Sequence, residues 1–434
     1  MRERERENCA ELKDSLNSAN LKDFTYNSSD DFAPQNKHKN KCNVRKIAIV
    51  RLSALGDIVV SASVLGFLRE FLDKVSEKTQ SKWQIEWFVD ERFSGILRDS
   101  PCISKLHSLP FKKYLKSPFG IYKIYRYMRK CGEFDIVIDM QGLLKSALVG
   151  RMLRTKRFVG FSGRGCRERM ASALYSQCVD ISYESNILVR NFVLVFSTAD
   201  GDLQEILKDI LQDNNTESIE NSIMKLPQFR SALTLRSAGF GIECLNLAIF
   251  SDNFLAHKKA TLQSNSQNFP SALLESKKFL FVIEASIAEK IYPIDKFLTL
   301  AQMLKNHYDK VDIYVIWHSN EKGANALIAG LESQNINAIK LPPLDFNSIK
   351  FTLKNMDMII GGDTGITHLS WALGIKTITL LGNQLESSGK NMRHTRLKRI
   401  LLGNPYILSE SQTFEIASIA PSAIFECIKA QLIK

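Results

Sequence analysis

The sequence predicts an α/β protein of two halves, each a parallel sheet covered by helices and facing the other across a cleft. Three observations carry this. Apolar strand-like runs alternate with helical patterns from Arg45 to about residue 200, and the alternation returns at Phe279; that rhythm is the mark of a parallel sheet with helical crossovers. Between the two stretches the texture turns polar, rich in Asn, Ser, Gln and Asp over residues 200–275. In each half, moreover, an apolar strand ends in a small-residue turn that carries one acid and opens a helix.

Taken in order, residues 1–44 are polar and charged without an apolar face, and are expected to form a disordered extension. Residues 45–200 are expected to form the N-terminal domain, with strands Lys46–Leu52, Gln84–Val89, Asp135–Asp139 and a short one at Phe158–Gly160. Residues 201–275 read as a linker with an insertion, with one strand-like patch at Leu245–Phe250. Residues 276–434 read as the C-terminal domain: strand Phe279–Ile283, helix Asp295–His307, strand Asp312–Trp317, helix Glu321–Leu331, strand Ala338–Leu341 and helix Phe346–Asn355. Two further strands flank the second acidic turn and end at Leu381.

The first acidic turn is Arg51-Leu52-Ser53-Ala54-Leu55-Gly56-Asp57. A carboxylate at the end of the first strand of an open sheet lies where such sheets bind ligands, although Asp is also a common helix N-cap. With Gly56 alone, the turn is neither a dinucleotide fingerprint nor a Walker A loop. The second turn is Gly361-Gly362-Asp363-Thr364-Gly365, followed by Ile366-Thr367-His368-Leu369. Its paired glycines let the backbone approach a ligand closely, and N–H groups at a helix start suit a phosphate. Asp-Thr-Gly also occurs in aspartic proteases. Those are all-β proteins, whereas here a helix and then strand Thr377–Leu381 follow, so that reading fails.

A formal charge of +12 calls for an acidic partner: nucleic acid, an anionic membrane surface or a phosphorylated substrate. No apolar run approaches the ~20 residues needed to cross a bilayer, and the charged start Met1–Glu7 lacks the apolar core of a secretory signal. The eight cysteines form no CxxC pair, so neither a zinc site nor a disulfide framework is implied. A reduced cytoplasmic setting is the expectation.

At the two acidic turns the chain resembles glycosyltransferase family 9, the bacterial heptosyltransferases. Further matching segments lie in order between and around them: Asp139-Met140-Gln141-Gly142-Leu143-Leu144-Lys145-Ser146, Cys166-Arg167-Glu168, and Lys290-Ile291-Tyr292-Pro293. The resemblance runs from about Arg45 to about Gly382, broken by the insertion. It implies a GT-B architecture of two Rossmann-like domains. It also implies an inverting transfer of L-glycero-D-manno-heptose from ADP-heptose to Kdo of lipid A, with no required cofactor or metal. A relative with a different acceptor, as in heptosyltransferase II, stays open.

Direct displacement at an anomeric carbon needs a general base at the acceptor hydroxyl and positive groups at the leaving diphosphate. The resemblance assigns the base to Asp57. For the donor it implies Ala285, Ser286, Lys290, Asn320, Leu344, Asp363, Thr364, Gly365 and His368. Ala285 stands where a threonine is common, and Asn320 where a glutamate is; Lys290 as a solvated lysine, His368 as a packed core histidine and Leu344 as a core leucine are the plain alternatives. For the acceptor it implies Gln141, Lys145, Arg151, Arg167 and Arg190, any of which could be an ordinary surface group. Val60 occupies a position where relatives often carry histidine.

One stretch stands apart from these motifs. Leu109–Lys130 interleaves Lys112, Lys113, Lys116, Lys123 and Arg126 with Phe111, Tyr114, Phe119, Tyr122 and Tyr125. A basic, aromatic surface helix fits an anionic membrane, placing the protein peripherally at the inner face of the cytoplasmic membrane. The same composition suits single-stranded nucleic acid, or a helix that is half core and half solvated.

Overall fold

The computed structural model describes residues 43–114, 116–198, 201–213, 215–241, 276–382, 400–408 and 416–432. The expected extension up to residue 42 and the patch Leu245–Phe250 lie outside these residues.

Two six-stranded parallel sheets organise the chain. The N-terminal sheet contains β1 (Asn43–Val50), β2 (Ser81–Asp90), β3 (Lys105–Leu109), β4 (Glu133–Asp139), β5 (Arg154–Phe161) and β6 (Gln177–Val179), in the order β3-β2-β1-β4-β5-β6. The C-terminal sheet repeats that order as β9-β8-β7-β10-β11-β12, read from the opposite edge. Its strands are β7 (Lys277–Val282), β8 (Val311–Ile316), β9 (Asn337–Lys340), β10 (Met358–Gly362), β11 (Thr377–Leu381) and β12 (Tyr406–Leu408). In each sheet the strand order reverses at the centre, between β1 and β4 and between β7 and β10. Such switch points open a crevice beyond the carboxyl ends of the strands.

The central strands carry apolar inner segments, such as Ile47–Val50, Ile136–Ile138 and Phe279–Val282, because helices cover both faces of a parallel sheet. Ile47–Val50 are buried, with Val50 opposite Phe88 on one side and Asp139 on the other. The strands without a counterpart in the sequence reading, β3, β6 and β12, are short and lie in the outer half of their sheets. Outer strands need only one paired side and tolerate polar residues, so Lys105-Leu106-His107-Ser108-Leu109 carries no clear apolar signal.

In the N-terminal half, helices α1 (Leu55–Ala62), α2 (Leu65–Thr79), α3 (Pro118–Lys130), α4 (Leu144–Arg151) and α5 (Ile187–Phe196) surround the sheet. Residues 201–241, whose texture reads as a connection, form α6 (Asp202–Leu211), α7 (Thr216–Lys225) and α8 (Pro227–Thr234). Their apolar stripes bury Leu203, Leu207, Ile219, Ile223 and Phe229, and Phe229 meets Phe192 of α5 edge to face at 5.2 Å. The C-terminal half contains α9 (Ile294–His307), α10 (Glu321–Ser333), α11 (Phe346–Lys354), α12 (Gly365–Ala372) and α13 (Pro421–Leu432). No described helix is long and apolar enough to cross a membrane.

The halves are joined by specific contacts. Arg236 donates from Nε to the Trp371 carbonyl at 2.8 Å, and Asn347 donates to Asp99 Oδ2 at 2.7 Å. The fully buried Lys350 gives its ammonium to the carbonyls of Arg98 and Gly241.

Candidate active site

Both acidic turns fall at the switch points. β1 runs into the turn 51–54, and α1 starts at Leu55. Ala54 occupies the N-cap and makes no side-chain cap bond, so the capping alternative for Asp57 is corrected. Asp57 lies instead in the first turn of the helix, partly exposed, with Oδ2 3.0 Å from Nη2 of Arg51. Arg51 is buried and its Nη1 donates to the Met140 carbonyl at the end of β4. Its guanidinium is therefore held by the neighbouring strand while it grips the carboxylate. The sequence reading passed over Arg51, although a cation ending an apolar strand six residues before an acid is a visible signal.

The loop after β4 completes this side. Asp139 is fully buried and accepts from the Gln141 N–H (2.8 Å), Ser146 Oγ (2.8 Å) and Tyr175 OH (2.8 Å). Burial pushes its carboxyl above the usual range despite those bonds. So braced, the loop presents Gln141, whose Oε1 accepts from the Leu52 N–H at 2.8 Å. Lys145 Nζ reaches Ser53 Oγ at 3.3 Å. Glu168 ties the next loop to this one, accepting from the Leu144 N–H at 2.6 Å and donating its own N–H to the Gly142 carbonyl. Exposed Arg167 stands beside it. Gln141, Lys145 and Arg167 thus share the Asp57 edge of the sheet.

Two acceptor candidates are placed differently from this group. Arg151 is the last residue of α4, which starts at this edge and runs back along the sheet, so it lies about 12 Å away at the other end. Arg190 is buried beneath Phe161 and Tyr183, with its guanidinium 4.4 and 4.8 Å from their rings and Nη2 donating to the Gly165 carbonyl. Burial lowers its pKa to about 10. It is a fixed internal cation behind the loop, close enough to Arg51 and Asp57 for their charges to act on it.

On the C-terminal side, Asp363 follows β10 and holds two of the expected donor residues. Lys290 Nζ lies 2.5 Å from Oδ2, and His368 Nε2 lies 2.7 Å from Oδ1. Asp363 therefore orients the cation, since a carboxylate would itself repel a diphosphate. Thr364 caps α12, taking the Thr367 N–H on its hydroxyl while Thr367 Oγ1 accepts its N–H in return. His368 is buried, as its core-histidine alternative has it, with Nδ1 unpartnered and pressed against α1. A Cβ on Gly56 would lie 2.5 Å from that Nδ1, and a Cβ on Gly365 would lie 2.6 Å from Leu55 Cδ2. The N-termini of α1 and α12 thus meet, each through a glycine.

The remaining donor candidates follow β7, β8 and β9. Ser286 is exposed, Ala285 half-buried, and Leu344 half-buried in its loop. Asn320 is the N-cap of α10 and spends Oδ1 on the Gly323 N–H at 3.0 Å. Glu284, absent from the sequence reading, orders this region. It accepts from the N–H groups of His318 (2.9 Å), Ser319 (3.0 Å) and Asn320 (2.6 Å), and from Ser319 Oγ. Burial opposes its ionisation, but those donors outweigh it and hold the carboxyl below the usual range. An acid ending the apolar run Phe279–Ile283 was the same signal that marked Asp57.

Comparison with known proteins bears on the family and the fold. The model of glycosyltransferase family 9 (heptosyltransferase) matches residues 121–390. A lipopolysaccharide heptosyltransferase 1 of Campylobacter coli is 30% identical over 88% of this chain and 98% of its own length. One from Pseudomonas aeruginosa is 21% identical over 78% of each chain. Among solved structures, E. coli heptosyltransferase WaaC with ADP-2-deoxy-2-fluoro heptose superposes with a TM-score of 0.56 at 16% identity, over 89% of this chain and 99% of that one. E. coli ADP-heptose lps heptosyltransferase II gives a TM-score of 0.55 at 16% identity, over 90% and 98%. The likeness of fold is that of two parallel-sheet domains in a GT-B arrangement.

Proposed function

Since the chain belongs to glycosyltransferase family 9, the heptosyltransferases, we propose that it moves L-glycero-D-manno-heptose from ADP-heptose to Kdo of lipid A. The observation that carries this is the pairing of the two switch points: a base-like Asp57 gripped by Arg51 on one side, and Lys290 held by Asp363 on the other.

In this reading Asp57 takes the proton from the acceptor hydroxyl as its oxygen attacks the anomeric carbon, and configuration inverts. An ordinary carboxylate is a modest base, so alignment of the reactants supplies much of the acceleration. The diphosphate leaves toward Lys290 and the start of α12, where charge and N–H groups stabilise it. With that cation in place the reaction requires no metal. Lys145 and Arg167 meet the anionic acceptor. Because lipid A is anchored in a bilayer, the enzyme works peripherally at the inner face of the cytoplasmic membrane.

The test is incubation with ADP-heptose and Kdo–lipid A, measuring ADP release and the mass of the lipid product. A heptose-sized gain that disappears in Asp57→Ala supports the reading. ADP-heptose binding with no transfer to that acceptor, but transfer to an already heptosylated one, would replace the acceptor by that of a heptosyltransferase II.

A further inference from the structure

Helix α3 carries an exposed surface that the active site does not use. It buries only Gly120, Ile124 and Met128, a narrow stripe at four-residue spacing. Everything opposite projects outward: Phe119 is 80% exposed, Tyr122 58% and Tyr125 43%. Phe111 and Tyr114 differ, the first buried and the second half-buried, so they belong to the fold rather than to this face. Arg126 lies 5.8 Å from the Tyr122 ring and Arg129 lies 5.7 Å from that of Tyr125, which ranks the cations beside the aromatics. No Asp or Glu occurs from Pro110 to Gly132. Exposed aromatic side chains in a row are costly in water and mark an interaction surface.

The helix is rigidly mounted. Ser117 caps it by accepting the Gly120 N–H at 3.1 Å, and Pro118 begins it. Near its other end, Tyr127 OH bonds His107 Nδ1 at 2.8 Å, His107 Nε2 lies 2.6 Å from Glu86, and Glu86 pairs with Lys46 at 2.6 Å. This chain of contacts anchors α3 to β3, β2 and β1. The helix starts just beyond the carboxyl end of β3, so Phe119 lies at the sheet edge that carries Asp57.

We propose that the outer face of α3 docks the enzyme onto an anionic lipid bilayer, with Phe119 and Tyr122 entering the headgroup region and Lys123, Arg126 and Lys130 against the acidic headgroups. This deepens the proposed function and rests on it for the purpose of docking: the first turn of α3 sets the acceptor side of the cleft toward the membrane. A lipid surface fits better than a nucleic acid because the cations and rings share the exposed outer face of a single helix. Strand-binding proteins instead line a groove that follows the backbone.

Vesicle flotation tests this with the full chain and no ADP-heptose, using phosphatidylethanolamine–phosphatidylglycerol vesicles against phosphatidylcholine alone. The wild type is expected to float with the anionic vesicles only. Arg126→Glu with Lys130→Glu should weaken that partition by roughly a hundredfold, and Phe119→Ser with Tyr122→Ser by about tenfold. Both variants should keep wild-type transfer to a de-acylated, soluble Kdo acceptor, which also shows that they fold. Equal flotation on both vesicle types, or anionic flotation unchanged in both variants, overturns the docking. Retention on a single-stranded oligonucleotide without flotation overturns it in favour of nucleic acid. Loss of transfer to every Kdo acceptor would instead strike the proposed reaction, since flotation is read without it.

Discussion

Arg51 and Asp57 face each other at 3.0 Å across the turn that joins β1 to α1, and the arginine is held from behind by the Met140 carbonyl. The pair joins charge and position: a neighbouring cation keeps a carboxylate ionised, and a guanidinium fixed by a second strand also limits where that carboxylate points.

Replacing Arg51 by Met removes both effects, and the loosened carboxylate should cost about a hundredfold in kcat. Arg51→Lys keeps a positive charge but not the fork, so kcat should fall only about tenfold. Steady-state kinetics of the two variants separate charge from geometry; equal losses in both would dismiss the electrostatic half.

Lys290 and Asp363 make a second separable pair. Lys290→Ala should weaken ADP-heptose by about ten- to a hundredfold, since the variant has no ammonium to offer the phosphate. Asp363→Asn leaves the ammonium in place but frees it and the His368 ring from their shared anchor. Here kcat should fall more than affinity. Calorimetry of ADP-heptose binding beside steady-state kinetics distinguishes the two; equal losses of affinity in both variants would mean that Asp363 itself contacts the donor.

The contact between α1 and α12 has no room for a side chain at Gly56, where a Cβ would meet His368 Nδ1 at 2.5 Å. Gly56→Val should therefore destabilise the protein by about 1–3 kcal/mol and displace Asp57, one residue away. Thermal unfolding and kcat are expected to fall together. A variant with wild-type Tm and turnover would show that the two helices separate freely.

Lys350 gives a pH signature. Burial lowers its pKa from 10.5 to about 8, so between those values the unfolded chain binds a proton that the folded chain lacks. Stability from this group therefore rises with pH across that window, by at most on the order of 3 kcal/mol. Below about pH 8 the buried charge costs its full amount. The Tm difference between wild type and Lys350→Met, measured from pH 7 to 10, should move steadily in favour of the wild type. A flat difference would mean that Lys350 is hydrated in solution.

The sequence revealed the central strands and both acidic turns because apolar runs ending in small residues are what buried parallel strands require. β3, β6 and β12 escaped it because short outer strands tolerate the polar residues that they contain. Helices α6 to α8 were hidden for a different reason: their apolar stripes are sparse within Asn- and Asp-rich surroundings, yet Leu207 and Ile223 are fully buried. In the site, residue types at strand ends located Asp57 and Asp363, and the family resemblance located Lys290. Partnerships could not be read in the same way. That Arg190 turns inward under Phe161, that Asn320 is spent on a cap, and that Arg51 grips Asp57 all depend on neighbours distant in sequence.

The meeting of α1 and α12 has one more effect. Leu55 fits the hollow at Gly365 and His368 fits the hollow at Gly56, so parting the helices empties both hollows at the same moment. Closed, the joint leaves His368 Nδ1 with no partner, a deficit of about 1–3 kcal/mol that water relieves as soon as the helices part. That gain offsets part of the cost of wetting the apolar surface between them. An enzyme that must release ADP and a heptosylated product after each turnover is served by a seam whose opening cost water partly offsets.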